Sequence, residues 1–137
     1  MRLVSLVTVL FLLVTACADT PTSARLARDL DDARETWSRH LDFYDYELTR
    51  TCDSCVGPTG SFRLTVVDGT VCVITPLDPG VDQVPAGVFA PNIDGLLTFV
   101  ADRLDDGTLE TVEFTDEGLP SRVVLTDGET LEASLST

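Results

Sequence analysis

The chain has 137 residues, room for one domain and no more. It carries 9 Lys+Arg against 23 Asp+Glu, a formal charge of −14, and every one of its basic residues is Arg. So acidic a surface repels phosphate backbones and argues against nucleic-acid binding, and a single His leaves little for imidazole chemistry.

Met1-Arg2 gives a short basic start, and Leu3 to Ala16 follows without a charge. That run is shorter than the roughly 20 helical residues a bilayer core requires, so residues 1–16 are expected to be a signal peptide. The stretch Val14-Thr15-Ala16-Cys17 resembles a bacterial lipobox. The resemblance implies that the Cys17 thiol receives a diacylglycerol and that cleavage falls just before it. Ordinary secretory cleavage after Ala18 competes, because Ala16-Cys17-Ala18 also fits an A-x-A pattern. On the lipoprotein reading, residues 17–24 form a lipidated tether and 25–137 a single domain. Acyl chains contribute about 0.8 kcal/mol per buried CH₂, so two or three of them hold a protein firmly on a membrane.

Arg25 to Leu41 has a helical period, with Leu26, Leu30, Ala33, Trp37 and Leu41 on one face and charges elsewhere. Thr20 or Ser23 is a candidate cap. From Phe43 to Thr51 the period changes to two: Tyr44, Tyr46 and Leu48 share one face, Asp45, Glu47 and Thr49 the other. Ser61 to Val67 is a second strand with Phe62, Leu64 and Val66 inward, and Asp68-Gly69 marks a type I′ hairpin. The third strand, Thr70 to Thr75, then pairs Val66 with Val71, Thr65 with Cys72 and Leu64 with Val73. This places Val71 and Val73 in the core and Cys72 on the opposite face.

Pro76 to Pro91 holds four prolines and reads as a long loop, either a variable binding edge or an irregular crossover. Asn92 to Leu104 is the clearest helix, with Asn92 as N-cap and Ile93, Leu96, Leu97, Val100 and Leu104 on one face. Leu109 to Thr115 and Ser121 to Thr126 are the fourth and fifth strands. The last residues read as a frayed tail or a short edge strand, and no internal repeat is evident. The expected fold is α+β: a single antiparallel sheet of about five strands, order α-βββ-α-ββ, with two helices packed on one face.

From Trp37 to about Thr126 the chain resembles a family of small bacterial lipoproteins known only as a domain of unknown function. Carrying the resemblance are Trp37, Tyr44-Asp-Tyr46, Cys52 and Cys55, Phe62-Arg-Leu-Thr-Val-Val-Asp-Gly69, Asn92-Ile-Asp94, and Val112-Glu-Phe-Thr-Asp116 leading to Gly118-Leu-Pro120. The family's two Cys stand closer together, and Cys72 is an addition. The resemblance implies export, a lipid anchor and the α+β layout, and no reaction.

With Cys17 lipidated or removed, Cys52, Cys55 and Cys72 remain, one bond is expected in an exported chain, and one thiol is left over. Three pairings are open; the strand register favours Cys52–Cys55. Cys52-Asp-Ser-Cys55 also matches C-x-x-C, but it follows a strand, and Asp53 opposes the thiolate a redox pair needs. Three Cys and a lone His40 lack zinc spacing. Asp116-Glu117 with Asp127 is the candidate Ca²⁺ cluster, although no EF-hand spacing is present. No catalytic residues, metal or cofactor are assigned. The expected function is a non-catalytic cell-envelope lipoprotein on the extracytoplasmic face. Lipid on Cys17 holds it there, and the 76–91 loop or the sheet face away from the helices binds a protein, peptide or envelope component. The alternative is a small exported enzyme or thiol-redox factor.

Overall fold

The computed structural model describes residues 22–40 and 42–136. The expected signal peptide, its cleavage site, Cys17 and Leu41 lie outside these residues. The element order is α1 (Thr22–Trp37), β1 (Phe43–Thr51), β2 (Gly60–Val67), β3 (Thr70–Pro76), α2 (Ile93–Asp105), β4 (Leu109–Phe114), β5 (Pro120–Leu125) and β6 (Thr130–Leu135). The class is α+β as expected, but the sheet has six strands, in the order β3-β2-β1-β6-β5-β4, all antiparallel. The last residues, expected as a frayed tail or a short edge strand, form β6, a central strand that joins the two halves by pairing with β1 in the middle of the sheet.

Each half is therefore one helix followed by a three-stranded meander. Arg63 and Arg122 hold equivalent positions on β2 and β5, and Asp68-Gly69 and Asp127-Gly128 turn the equivalent hairpins. The repeat that sequence alone did not reveal is thus a repeat of architecture.

Helix α1 starts at Thr22, so the last part of the expected tether is helical and Ser23 lies within the helix instead of capping it. Leu30, Ala33 and Trp37 are buried, as their spacing requires. Helix α2 is capped as expected: the Asn92 side chain accepts from the Gly95 N–H at 2.7 Å. Its Ile93, Leu96, Leu97 and Val100 are buried against Tyr46, Leu48, Leu64, Val66, Val123 and Leu131 of the sheet.

The β2–β3 turn has positive φ at both Asp68 and Gly69, the backbone a type I′ turn demands. Beyond it the expected register fails. Val66 pairs with Val71, but Thr65 pairs with Val73 and Leu64 with Ile74, because a β-bulge intervenes. Cys72 is the extra residue and has no partner across the strand. Val73 therefore turns outward, 52 % exposed, and Ile74 takes the core position expected of Val73.

The antiparallel pairings give the sheet two distinct ends. At one end lie Thr51 beside Thr130, Gly60 beside Arg50, and Leu109 beside Leu125. The start of α1 is here too, with Arg25 and Leu26 alongside Glu110 to Val112. At the other end lie Phe43 beside Val67, the Asp68-Gly69 turn, and Phe114 beside Pro120. The end of α1 packs there, since a Cβ on Gly118 would run into the backbone of Ala33 and Trp37. The start of α2 is also at this end, where Asn92 Nδ2 donates to the Gly69 carbonyl at 2.6 Å.

Candidate functional site

Both helices pack on the same face of the sheet, and the other face is open. Its side chains alternate out of the strands: Asp45, Glu47 and Thr49 from β1, Arg63 and Thr65 from β2, Arg122 from β5, Glu132 and Ser134 from β6. Sequence periodicity assigned the β1 and β2 members to this face. The structure adds that they are paired: Arg63 reaches Glu47 at 2.7 Å, Thr65 donates to Asp45 at 2.5 Å, and the Thr49 and Ser61 hydroxyls meet at 2.8 Å.

A groove of about 390 Å³ crosses this face, lined by Glu47, Thr49, Glu113, Ser121, Arg122, Glu132, Ala133 and Ser134. It exists because β6 inserts between β1 and β5, bringing side chains from four strands together. Arg122 lies opposite Glu113 on β4 and reaches Glu132 of β6 at 3.7 Å. Three carboxylates line the groove; Arg63 offsets Glu47 and Arg122 offsets Glu132, so the groove keeps one net negative charge, at Glu113. The sequence reading missed it, because a β1–β6 pairing between the first and last strands has no local signal.

A smaller pocket, about 110 Å³, opens at the end where α1 finishes, lined by Trp37, Ser38, His40, Asp42, Tyr44, Gly69 and Asp94. His40 stacks on Trp37 with ring centres 4.5 Å apart, and Tyr44 meets Trp37 edge-on at 5.0 Å. The Tyr44 hydroxyl accepts the Ile93 N–H at 2.9 Å, one of the orphan donors at the start of α2. Burial pushes the Tyr44 phenol up, the Ile93 N–H offsets part of that, and Asp94 adds to the rise. The Tyr46 phenol is pushed up much further, by deeper burial first and by Tyr44 second, and its hydroxyl donates to the Pro91 carbonyl.

Cys52 and Cys55 stand at disulfide distance, with Cα atoms 5.7 Å apart, in the loop after β1; Cys72 is free and exposed. The favoured pairing of the three is the one the geometry brings together. Arg50 braces the same loop. It donates to the carbonyls of Val56 and Pro58 at 3.3 and 3.0 Å while pairing with Glu129 at 2.7 Å.

The 76–91 segment is in large part a crossover. Asp78 accepts the Ser61 N–H at 2.9 Å, and Val88, Phe89 and Ala90 pack against the core, Phe89 beside Phe99. The candidate Ca²⁺ cluster does not form, because Asp116-Glu117 and Asp127 lie at opposite ends of β5. Among the described residues, no group of three or more His, Cys, Asp or Glu is placed to hold a metal, and no helix is long and apolar enough to cross a membrane.

Residues 29–130 match the model of the Family of unknown function (DUF6174), and the chain belongs to that family. No curated protein and no solved structure matches it.

Proposed function

We propose that this protein is a bacterial cell-envelope lipoprotein, exported and held on the extracytoplasmic face by lipid on Cys17, and that it acts as a non-catalytic binding module. The Val14-Thr15-Ala16-Cys17 stretch supports the anchor. The binding reading is carried by one observation: the sheet is covered by helices on one face only, and an acidic groove from four strands lies on the other. Its partner is a positively charged segment of an extracytoplasmic protein, matched by Glu47, Glu113 and Glu132. The groove carboxylates remain hydrated, Glu132 being 60 % exposed, and lack the burial that equips a general acid. A Cys52–Cys55 disulfide, braced by Arg50, has a structural place in this reading.

Crosslinking on intact cells followed by mass spectrometry tests it. A recurrent neighbour is expected, joined through basic residues to peptides of the groove strands. Glu113→Arg with Glu132→Arg abolishes that crosslink while the protein stays folded. An unchanged set of neighbours in the double variant rejects the groove. The mass of the mature N-terminal peptide reports the acyl group separately.

A further inference from the structure

Among the described residues, five large apolar side chains are exposed: Phe43, Val56, Val67, Val73 and Val81. Val56 and Val81 sit singly on loops, which is ordinary for a folded surface. The other three fall together on the open face. Phe43 is directly opposite Val67 across the β1–β2 pairing, and Val73 is opposite Thr65, the neighbour of Val67 on that face. Directly opposite residues of an antiparallel pair hold their side chains about 5 Å apart, so Phe43 and Val67 form one continuous apolar surface. Phe43 is 60 % exposed and Val73 52 %.

This apolar corner is rimmed by carboxylates. Asp45 lies on the same face, accepting from the Thr65 hydroxyl at 2.5 Å. Asp42 and Asp68 flank Phe43 and Val67 along the chain, and the Asp68 N–H donates to the Asp42 carbonyl at 2.8 Å. None of these three carboxylates stands in an ion pair among the described residues. Arg63, the guanidinium that β2 adds to this face, is held by Glu47, while Arg34 and Arg39 belong to the helix side, Arg39 tied to Glu35. A second copy would set these carboxylates against their own equivalents, and an anionic leaflet repels them. Charge complementarity selects a partner whose cations flank an apolar side chain.

Alternate residues of an extended chain lie about 7 Å apart on one face. Phe43, Asp45 and Glu47 follow one another in this way along β1, and Glu47 stands at the lip of the groove. We propose that the basic segment bound by the open face carries an aromatic or large aliphatic side chain with Arg or Lys two residues to either side. The apolar side chain seats on Phe43, Val67 and Val73, one cation lies over Asp45, and the other lies beside Asp42 and Asp68. Continued along β1, the segment leads toward the groove. This rests on the reading that the open face binds a basic segment, and it adds what charge alone lacks: exposed ion pairs hold weakly, whereas a buried apolar anchor supplies affinity and a recognisable pattern.

Titration of the intact, isotope-labelled protein in detergent micelles with synthetic peptides, followed by nuclear magnetic resonance, tests the corner. The short probe is Ser-Arg-Ser-Phe-Ser-Arg-Ser with both ends blocked; one control replaces its Phe by Ser, another its Arg residues by Glu. The short probe is expected to shift the backbone signals of Phe43, Asp45, Val67 and Val73. Removing its Phe, or changing Phe43→Ser with Val67→Thr in the protein, should weaken binding about tenfold. Both positions are exposed, so this variant should stay folded, which the same spectra report. Asp45→Asn with Asp68→Asn should weaken binding several-fold and reduce its salt dependence, since Asn tolerates the positive φ at position 68. Equal binding of the Glu probe, or no response to the corner variants, overturns the proposal. A longer probe, extended by Ser-Arg-Ser-Arg, separates corner from groove: Glu113→Arg with Glu132→Arg should weaken the longer probe and leave the short one unchanged. A longer probe indifferent to the groove variant but sensitive to the corner variant rejects the groove and supports the corner. In intact cells, a benzophenone amino acid in place of Phe43 should crosslink to a peptide with the basic–apolar–basic pattern. Crosslinks confined to phospholipid or to a second copy overturn the proposal.

Discussion

Arg50 and Glu129 form an ion pair in which both side chains are nearly enclosed, 13 % and 11 % exposed, with Nε and Oε1 2.7 Å apart. The same guanidinium holds the carbonyls of Val56 and Pro58, so one residue joins β1, the start of β6 and the Cys52–Cys55 loop. Removing one partner strands the other charge away from water. Arg50→Ala or Glu129→Ala should each cost about 3–5 kcal/mol, whereas replacing both with apolar residues of similar size should cost far less. Urea unfolding of the four proteins measures this; a double-variant loss equal to the sum of the two single losses would remove the coupling.

Gly118 is where α1 rests on the β4–β5 turn. It has φ of +89°, and an added Cβ meets the Ala33 carbonyl oxygen and, at 3.0 Å, the Trp37 nitrogen. Both obstacles are backbone and cannot step aside. Gly118→Ala is expected to lose about 2–4 kcal/mol, combining left-handed strain with overpacking. Gly80→Ala, with positive φ but nothing within 4 Å, should lose clearly less. Comparable losses at the two sites in thermal melts would contradict the close approach.

Tyr46 couples stability to alkaline pH. Its folded phenol titrates well above the ordinary value of 10.0, chiefly because it is buried, and Tyr44 is raised in the same sense. The unfolded chain therefore releases these protons first. Stability is intact below about pH 10 and falls above it, by at most about 1.4 kcal/mol per pH unit for each tyrosine. Tyr46→Phe should flatten that slope. It should also cost about 1–3 kcal/mol at neutral pH, because the Pro91 carbonyl loses its donor. Denaturation midpoints against pH, with tyrosinate absorbance recorded, check both parts.

The bulge on β3 makes two neighbouring residues unequal. Ile74 packs against the core and Val73 faces solvent. Ile74→Ala is expected to cost about 1–3 kcal/mol, less than a fully enclosed isoleucine, and Val73→Ala under about 0.5 kcal/mol. The reverse ranking would restore the uninterrupted register.

Thiol counting tests the cysteine assignment. Without reductant, protein with Cys17 blocked by lipid, as proposed, should react with one equivalent of maleimide, at Cys72, and after reduction with three. Cys72→Ser should give none before reduction. A second thiol reactive from the start would show that Cys52 and Cys55 are unpaired.

Strand periodicity was legible wherever burial alternates, so Tyr46, Leu48, Phe62, Leu64 and Val66 were placed on the core face from spacing alone. The Asn92 cap and the type I′ turn were legible because each requires particular residue types at fixed positions. Three things were not. The bulge leaves Val71, Val73 and Ile74, β-branched around Cys72, looking like an ordinary strand. β6 does alternate, with Leu131 and Ala133 inward and Glu132 and Ser134 outward, but it is six residues long with Thr130 its one β-branched residue, so a strand and a tail read alike from sequence. The acidic groove depends on β1 meeting β6, which hydrophobic packing of the whole chain decides and no local motif records.

Both outer strands are irregular. β3 skips at Cys72, and β4 skips at Glu110 and carries Glu113. The proposed lipid on Cys17 would crowd copies into a plane, where collisions flank to flank are frequent and a smooth border invites polymerisation into ribbons. A skipped residue breaks the hydrogen-bond rhythm a neighbour must match, and on β4 the Glu110 and Glu113 carboxylates repel an acidic copy. Dense films of this protein should therefore remain fluid, each copy diffusing by itself.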